Sequence, residues 1–389
     1  MAKLNLVLLF GGRSSEHSIS CATAAGVLGA IDRSKYNVIP VGITKQGVFV
    51  PAADDADKWA LRKGELATVQ DEGSRIEFAM DGSREITRLD ITGARSSLGQ
   101  IDVVFPVLHG PFGEDGTLQG YLELLGLPYV GNGVLASAAG MDKEFTKALF
   151  EAAGVPVTPH VVIHQRDWLA NPTAALEAVA GLGGLPLFVK PARAGSSVGV
   201  SKVKEMSEFK AAAKLAFEND NKLVVEKGLV GREVECAVIS GRGADEPRVS
   251  IAGEIVVTGR DFYDFEAKYQ DEDSVDLIIP AQLTDAELAE MQAIARRAFK
   301  WPAIELELQL PCIQQSDMVR NCELVVAHFT KTALSNNSLE AKCSFASGQR
   351  LKAHLLNQCR RCEFSRYLVP ETRLCAQVIN VLGKRRQMI

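Results

Sequence analysis

LFVKPARAGSSVGVSKV, residues 187–203, is the stretch from which the fold is best deduced. An apolar run ends in Lys190 and Pro191, a loop of small residues follows, and apolar alternation resumes at Val198. This order predicts a strand, a glycine- and serine-rich loop and a second strand. Because glycine has no Cβ, such a loop can approach phosphate oxygens closely, and Lys190 would add a cation. On spacing alone, a phosphate-binding hairpin and a surface β-turn both fit the stretch.

The N-terminal residues predict the first half of a βαβ unit. Residues 4–10 form a continuous apolar run that stops at two glycines, and a helical pattern follows over 13–31. A second strand is predicted over 36–43, so the helix N-terminus points toward the carboxyl end of the first strand, where ligands bind. Glu16 either complements the helix dipole or binds the ammonium group of a ligand.

A second glycine-rich turn follows a later apolar run. Residues 102–108 predict a buried strand that leads into His109 and a glycine-rich loop, and a helix is predicted over 117–125. A histidine at this end of a strand lies where open α/β sheets bind ligands, although a structural histidine fits equally well. Residues 128–131 predict one more short strand.

Asp142 is a good N-cap for a helix that ends at Gly154. The predicted apolar face of this helix is Phe145, Ala148, Leu149 and Ala152. Lys143 in the first turn opposes the helix dipole, so it either faces a ligand or is a solvated lysine. We place a domain boundary near Gly140.

The following residues predict the elements of a nucleotide cleft. In order they are a helix over 207–217, strands over 223–229, 231–239 and 249–257, and a helix over 284–300 that begins with a capping box. The link after Glu226 and Lys227 is typical of a hinge whose backbone contacts adenine, with Glu233 placed to accept from ribose hydroxyls. FYDFEAKY, residues 262–269, predicts a loop that closes over a polar site.

Composition excludes several classes of protein. The 389 residues are enough for two or three domains, and a net charge of -5 gives no general attraction to nucleic acid or to anionic membranes. The N-terminus lacks the apolar region of a signal peptide, and no apolar segment approaches the roughly 20 residues that cross a bilayer. We therefore expect a cytoplasmic protein that binds neither nucleic acid nor membrane.

Six motifs occur in one order: GGRSSEHS, VLHGPFGEDG, MDK, FVKPARAGSSVGVSKV, VEKGLVGREVE and FYDFEAKY. Together they resemble the D-alanine-D-alanine ligase family of the ATP-grasp superfamily, over residues 3–300. The resemblance implies α/β followed by α+β: a doubly wound N-terminal domain and an ATP-grasp clamp of two α+β subdomains, the last one incomplete. The expected divisions are an N-terminal substrate domain (1–140), a small ATP-grasp subdomain (141–220), the first part of a large one (221–300) and an atypical tail (301–389).

The resemblance also implies a reaction and its residues. Two D-alanines would be joined through an acyl phosphate formed with ATP and Mg²⁺ or Mn²⁺, for peptidoglycan precursor synthesis by a homodimer. Glu16 would bind the ammonium of the first D-alanine, with His109 near its carboxylate, and Glu16, Ser196 and Tyr269 would form a catalytic hydrogen-bonded group. The implied ATP-binding residues are Lys143, Lys190, Gly195, Ser196, Ser197, Glu226, Lys227, Leu229, Glu233 and Lys268.

A nucleotide-binding module without turnover is the alternative to the ligase. It would keep the ATP clamp but lose the C-terminal metal site. A nicotinamide-dependent dehydrogenase is disfavoured, because GGRSSE after the first strand is not the GxGxxG fingerprint. D-alanine-dependent phosphate release would distinguish the ligase from the module.

Residues 301–389 differ from the rest in composition. They carry 12 Lys and Arg against 7 Asp and Glu, six of the eight cysteines and two of the 33 glycines. The Arg-x-Asp and Glu-x-Asn elements expected from the resemblance are absent from them. We therefore hypothesise that this tail was translated in another reading frame or joined from elsewhere, and expect weak ATP binding and little ligase activity.

The metal ligands are not identifiable from the sequence. The tail residues 305–308 and 323–326 alternate like strands, and the nearby acids are Glu305, Glu307, Asp317 and Glu323, whose spacing does not indicate convergence. The tail has a single CxxC motif, Cys359 to Cys362. Because no second pair of ligands occurs at zinc-site spacing, a zinc site is disfavoured.

Overall fold

The structure is a computed structural model. It describes residues 2–61, 66–195, 197–229, 231–241, 245–257 and 275–300, and the backbone of 324–332 and 340–342. Seven of the residues singled out in the sequence lie outside this set: Ser196, Lys268, Tyr269 and the tail acids Glu305, Glu307, Asp317 and Glu323. The CxxC motif at residues 359–362 also lies outside it.

The strands and helices are numbered in chain order. The strands are β1 (Leu4–Gly11), β2 (Tyr36–Ile43), β3 (Phe49–Pro51), β4 (Arg75–Phe78), β5 (Glu85–Leu89), β6 (Arg95–Gln100), β7 (Val103–Pro106), β8 (His160–His164), β9 (Leu187–Pro191), β10 (Ser201–Val203), β11 (Lys222–Lys227), β12 (Gly231–Ile239), β13 (Arg248–Val249), β14 (Gly253–Val257), β15 (Val275–Ile278), β16 (Leu324–Thr332) and β17 (Glu340–Lys342). The helices are α1 (His17–Ala30), α2 (Ala56–Trp59), α3 (Thr117–Leu124), α4 (Val134–Met141), α5 (Lys143–Ala152), α6 (Gln165–Ala170), α7 (Pro172–Ala180), α8 (Phe209–Phe217) and α9 (Asp285–Phe299), with a 3₁₀ turn at Met206–Glu208.

The first sheet has the order β3-β2-β1-β7 and is parallel except for β3. Leu6, Leu8 and Phe10 of β1 pack with residues of α1 on one face. Val7 and Leu9 pack on the other face with residues of α3. Because β1 is covered on both faces, its sequence is a continuous apolar run, as a parallel central strand requires. The predicted α/β arrangement is confirmed here.

Residues 75–100 add a layer that the sequence did not predict. They form a three-stranded antiparallel sheet, β4-β5-β6, whose inward residues Ile76, Phe78 and Ile86 join the core beside Val7 and Leu9. Their outward residues are polar, so no long apolar run marks these strands. The strand predicted over 128–131 is wrong, since that segment makes only an isolated bridge between Tyr129 and Val104.

The second sheet has the order β10-β9-β11-β8, and its described pairs are antiparallel. It confirms the strand, loop and strand predicted from the opening stretch, with Ser201 opposite Val189. The second strand begins only at Ser201, because Val198 N–H and Val200 N–H are used in turns to Gly195 and Ser197 carbonyls.

The third sheet has the order β15-β14-β12-β16-β17, with β13 also paired to β12. Helix α9 begins at the predicted capping box, in which Thr284 and Glu287 exchange hydrogen bonds. Its buried residues pack with Val234, Cys236 and Val238 of β12. The strand predicted over 249–257 is two strands, because residues 250–252 leave the ladder.

The apolar face predicted for α5 is wrong. Asp142 caps the helix as predicted, but the buried residues are Thr146, Lys147 and Phe150. Phe145 is 56% exposed, although its ring lies 4.8 Å from the Lys222 ammonium. Lys147 turns inward because it pairs with Glu226 of the second sheet, whereas the Thr146 hydroxyl donates to the Ala139 carbonyl. The ion pair places α5 against the candidate site.

Candidate active site

Glu16 lies where three segments meet. It is the N-cap residue of α1 and is 1% exposed. A Cβ added to Gly110 would overlap its carboxylate, and a Cβ added to Gly195 would lie 3.2 Å from Oε2. The structure thus brings Glu16, the His109 loop and the glycine loop of the second sheet together. A side chain at Gly110 would therefore displace the carboxylate, whereas one at Gly195 would require it to shift by a few tenths of an ångström.

A buried histidine fixes the turn that carries Glu16. His17 Nε2 accepts a hydrogen bond from Val69 N–H at 2.9 Å, so Nδ1 is the donor to the Gly12 carbonyl at 2.6 Å. Burial, and to a smaller extent Lys45, lowers the pKa of His17, which keeps the ring neutral as this pattern requires. The imidazole therefore holds the glycine turn in place ahead of α1.

The loop that follows β7 is held by its own polar residues. Ser14 Oγ donates to the His109 carbonyl at 2.6 Å, and the His109 ring nitrogen Nε2 lies 3.0 Å from Thr23 Oγ1. Glu114 accepts from Gly110 N–H at 2.7 Å and Asp115 from Phe112 N–H at 2.8 Å. The acids of this loop thus fix its backbone, and His109 is oriented by α1.

Lys143 connects α5 to the glycine loop. Its Nζ donates to the carbonyls of Pro191, Ala192 and Ala194, at 3.1, 3.4 and 2.7 Å. Burial, and next the positive charge of Lys190, lowers the pKa of Lys143 to about 8, although Glu226 and Asp142 oppose that effect. A cation that is bound by carbonyl dipoles rather than by a carboxylate can still gain from a nearby anion.

Glu226 is shared by two lysines. It is 3% exposed, and Lys190 Nζ lies 2.5 Å from Oε2 while Lys147 Nζ lies 3.0 Å from Oε1. The structure thus places the residue implied as an adenine contact beside the residue implied as a phosphate ligand. The two ammonium groups exceed the charge of the one carboxylate that they share, which suits the binding of a further anion.

Both ends of the glycine loop rest on the turn before β11. Arg193 donates to Asp220 and Asn221, with Nη2 at 2.5 Å from Asp220 Oδ1. Burial would raise the pKa of Asp220, but the hydrogen bonds from Arg193 outweigh it and lower that pKa. At the other end, a Cβ on Gly199 would lie 2.7 Å from the Asn219 amide. Arg193 and Gly199, on either side of the loop, therefore both lie close to this turn.

Apart from Ser197, the remaining implied ATP residues that the structure describes lie along the link between the second and third sheets. Lys227 ends β11, and a Cβ on Gly183 would lie 3.6 Å from its Nζ. Gly228 N–H donates to the Pro186 carbonyl at 2.7 Å, which ties the link to the residues before β9. Glu233 lies on β12 opposite Ile255. Leu229 follows β11, and Ser197 in the glycine loop has a left-handed backbone, φ 60°.

Three groups in this region were missed by the sequence analysis. Lys147 follows Lys143 by one helical turn, so the i,i+4 spacing on α5 was an available signal. Lys222, 5% exposed, pairs with Asp142 and Glu144 at 2.7 and 2.6 Å. The Arg193–Asp220 pair had no signal, because its partners are separated along the chain and meet only through the sheet.

Comparison with known sequences identifies the family of the chain. The sequence model described as D-ala D-ala ligase N-terminus matches residues 5–132, and that described as D-ala D-ala ligase C-terminus matches residues 149–306. The chain belongs to the D-alanine-D-alanine ligase family. It is 50% identical over 301 residues to the D-alanine-D-alanine ligase of Arthrobacter sp. (strain FB24), covering 77% of this chain and 78% of that relative. A Streptomyces griseus ligase of the same name is 47% identical over 306 residues, covering 76% and 77%.

Solved structures of the family share the fold. The D-alanine-D-alanine ligase from Coxiella burnetii matches with a TM-score of 0.69 and 28% identity, covering 100% of this chain and 96% of that one. The VanG D-Ala:D-Ser ligase from Enterococcus faecalis matches with a TM-score of 0.68 and 28% identity, covering 98% and 100%. These matches confirm the ATP-grasp fold class. In the part of the chain that the structure describes, no helix has the length and apolar character to cross a membrane.

Proposed function

We propose that the chain uses ATP to join two D-alanine molecules, the reaction for which its family relatives are named. The observation that carries the proposal is the approach of Gly195 to Glu16. It puts a loop suited to phosphate beside a buried carboxylate suited to an ammonium group. A substrate bound at Glu16 would therefore have its own carboxylate within the reach of the terminal phosphate of ATP.

The chemistry explains why these groups are needed together. A carboxylate is a poor acyl donor at neutral pH, and ATP converts it to an acyl phosphate that the amine of a second D-alanine can attack. Lys143 and Lys190 would neutralise phosphate charge, and the loop N–H groups would add donors. Glu16 would hold the first ammonium, and His109, oriented by Thr23, would lie near the carboxylate. Closure over the site would exclude water, which otherwise hydrolyses the intermediate.

The link from Glu226 to Glu233 is proposed to bind the nucleoside. Lys227 and Leu229 would contact adenine through their backbone, and Glu233 would accept from the ribose. Ser196, Lys268 and Tyr269 stay predictions from the resemblance, as do the domain divisions near residues 140, 220 and 300. The two matched family segments, 5–132 and 149–306, are compatible with the first of those divisions.

A divalent metal does not fit the residues in view. The family is generally metal-requiring, but no group of three or more His, Cys, Asp or Glu able to hold an ion occurs among the described residues. We therefore assign no step to Mg²⁺ or Mn²⁺. Since the family match ends at residue 306, we expect this chain to bind ATP weakly and to turn over slowly. The second candidate is a module that binds nucleotide without turnover. The end of the family match at residue 306 favours it as well.

One assay separates these candidates. Purified protein is incubated with ATP, Mg²⁺ and D-alanine, and both inorganic phosphate and D-alanyl-D-alanine are measured, with L-alanine as the matched control. D-alanine-dependent release of both products supports the ligase. Nucleotide binding without release supports the module. A rate in the ordinary enzymatic range, about 1 to 10³ per second, would contradict the expected effect of the tail.

The assembly and location are proposed on family grounds. We propose a homodimer in the cytoplasm that takes D-alanine as its small-molecule partner and binds neither nucleic acid nor membrane. Sedimentation equilibrium of the full chain measures the first point. A species of one chain mass at micromolar concentration would contradict it.

A further inference from the structure

Lys147 is buried in the cluster around Glu226. Its side chain is 7% exposed, and its Nζ also donates to the Thr158 carbonyl at 3.3 Å. Lys190, on the other oxygen of the same carboxylate, is 17% exposed. Lys147 is therefore fixed by α5 and by a backbone carbonyl, whereas Lys190 is the more accessible of the two.

The shared carboxylate creates a conflict when a phosphate arrives. An ammonium at 2.5 Å from Glu226 cannot keep that geometry and also turn fully to a phosphate. If Lys190 left, a buried carboxylate without a cation would be strongly unfavourable. Lys147 removes this difficulty, because its contact with Glu226 does not depend on Lys190.

We propose that Lys147 is a positioning residue for nucleotide binding. It balances the charge of Glu226 and so releases Lys190 to the phosphates of the nucleotide. The inference rests on the proposed function, since it requires a phosphate at Lys190. In this proposal Lys147 itself does not contact the nucleotide.

The other buried lysines cannot take over this role. Lys143 is bound by three backbone carbonyls, and Lys222 lies on Asp142 and Glu144. Lys147 also comes from α5 rather than from the second sheet, so its position does not change with the side-chain rotamer of Lys190. The proposal therefore predicts an effect on phosphate affinity that is separate from any effect on adenine affinity.

The test measures that separation with two probes. The dissociation constants of ADP, by calorimetry, and of adenosine, by ligand-observed NMR, are determined for the full chain and its variants. Their ratio reports the phosphate contribution alone. In Lys147→Met the ratio of the ADP dissociation constant to the adenosine dissociation constant should rise roughly tenfold, as expected for one charge-assisted hydrogen bond, because Glu226 now retains Lys190. In Lys147→Arg it should stay near that of the parent protein.

A charge-removing second change distinguishes positioning from folding. Lys147→Met combined with Glu226→Gln should restore the ratio, since no carboxylate then holds Lys190. If Lys147→Met does not fold, this double variant is compared with Glu226→Gln alone, and equal ratios are expected. Parallel weakening of both probes in Lys147→Met, or no recovery in the double variant, would overturn the inference. Failure of the parent protein to bind ADP would instead overturn the proposed function, and the inference with it.

Discussion

Two buried lysine clusters lie on the second sheet and differ in the ratio of their charges. Around Lys222, one ammonium is bound by two carboxylates, those of Asp142 and Glu144. Around Glu226, one carboxylate is bound by two ammonium groups. In the first cluster the negative charges outnumber the positive charge, whereas in the second the positive charges outnumber the negative charge. Burial alone does not distinguish a structural ion pair from a binding site, but the balance of charge within it does.

The pKa values of Lys222 and Lys143 are shifted in opposite directions. Burial lowers the pKa of Lys222, but hydrogen bonds to Asp142 and Glu144 together outweigh it and leave that pKa raised. For Lys143, beside the second cluster, burial and the charge of Lys190 dominate and the pKa falls to about 8. A lysine with a raised pKa is already paired, whereas one with a lowered pKa gains from an added anion.

The largest expected effect is on folding, at the first cluster. Lys222→Met leaves a buried Asp142 and a partly exposed Glu144 without their cation, which should cost roughly 2–4 kcal/mol of unfolding free energy. Urea denaturation measures the loss. Lys210→Met, at an exposed position of α8, is the matched control and should change stability by less than about 0.5 kcal/mol. Equal losses in the two variants would remove the contrast between the clusters.

At the second cluster, the expected effect is on binding instead. Lys190→Ala should weaken ADP affinity by about 1.5–3 kcal/mol, or roughly 10- to 150-fold, because a charged hydrogen bond to phosphate is lost. Stability should fall less than in Lys222→Met, since Lys147 still pairs with Glu226. Lys202→Ala is the control, because Lys202 lies over the same Phe188 ring at 6.0 Å. Unchanged ADP affinity in Lys190→Ala would rule out the phosphate-loop interpretation.

Glu16 is a buried carboxylate that lies outside both clusters. If it only complements the helix dipole, Glu16→Gln should cost a few tenths of a kcal/mol of stability and leave ligand binding intact. If it binds an ammonium, the melting temperature should barely change and the stabilisation by D-alanine should disappear. Thermal shift with D-alanine, and with L-alanine as control, decides between the two. We expect the second result.

The smallest effect is a pH dependence from Lys143. Its folded-state pKa of about 8 lies below the ordinary lysine value of 10.5, so the unfolded chain binds more protons between these values. Burying the charged ammonium therefore lowers the free energy of unfolding below pH 8. This loss disappears as the pH rises from about 8 to 10.5. Nucleotide affinity should fall over the same rise, since the ammonium is lost. ADP titrations from pH 7 to pH 9 should show this fall in the parent protein and a weaker one in Lys143→Met.

Local signals carried most of the fold prediction. The first βαβ unit, the hairpin around the glycine loop and the capping box at Thr284 each depend on residues close together in sequence, and each is confirmed. Residues 75–100 were missed because short, half-exposed strands produce no apolar run. For α5, an apolar pattern gave the wrong face, since Lys147 is buried by an ion pair rather than by hydrophobicity.

The site could be predicted only in part for the same reason. Motifs marked Glu16, His109, Lys143 and Lys190 as polar residues at the ends of elements, and the structure brings Glu16 to the glycine loop. No local pattern shows that Glu226 faces two lysines or that Lys222 faces two acids. Those contacts depend on how α5 packs on the second sheet, which one sequence does not specify.

The pairing of β12 with β16 has a practical consequence for handling the protein. All nine residues of β12 are in register with the tail strand, from Gly231 opposite Thr332 to Ile239 opposite Leu324. A truncated chain ending at residue 300 would keep the segment that resembles the family but would leave this edge of β12 unpaired. Exposed strand edges recruit other chains. Shortened versions made for crystallisation are therefore expected to aggregate unless that edge is covered.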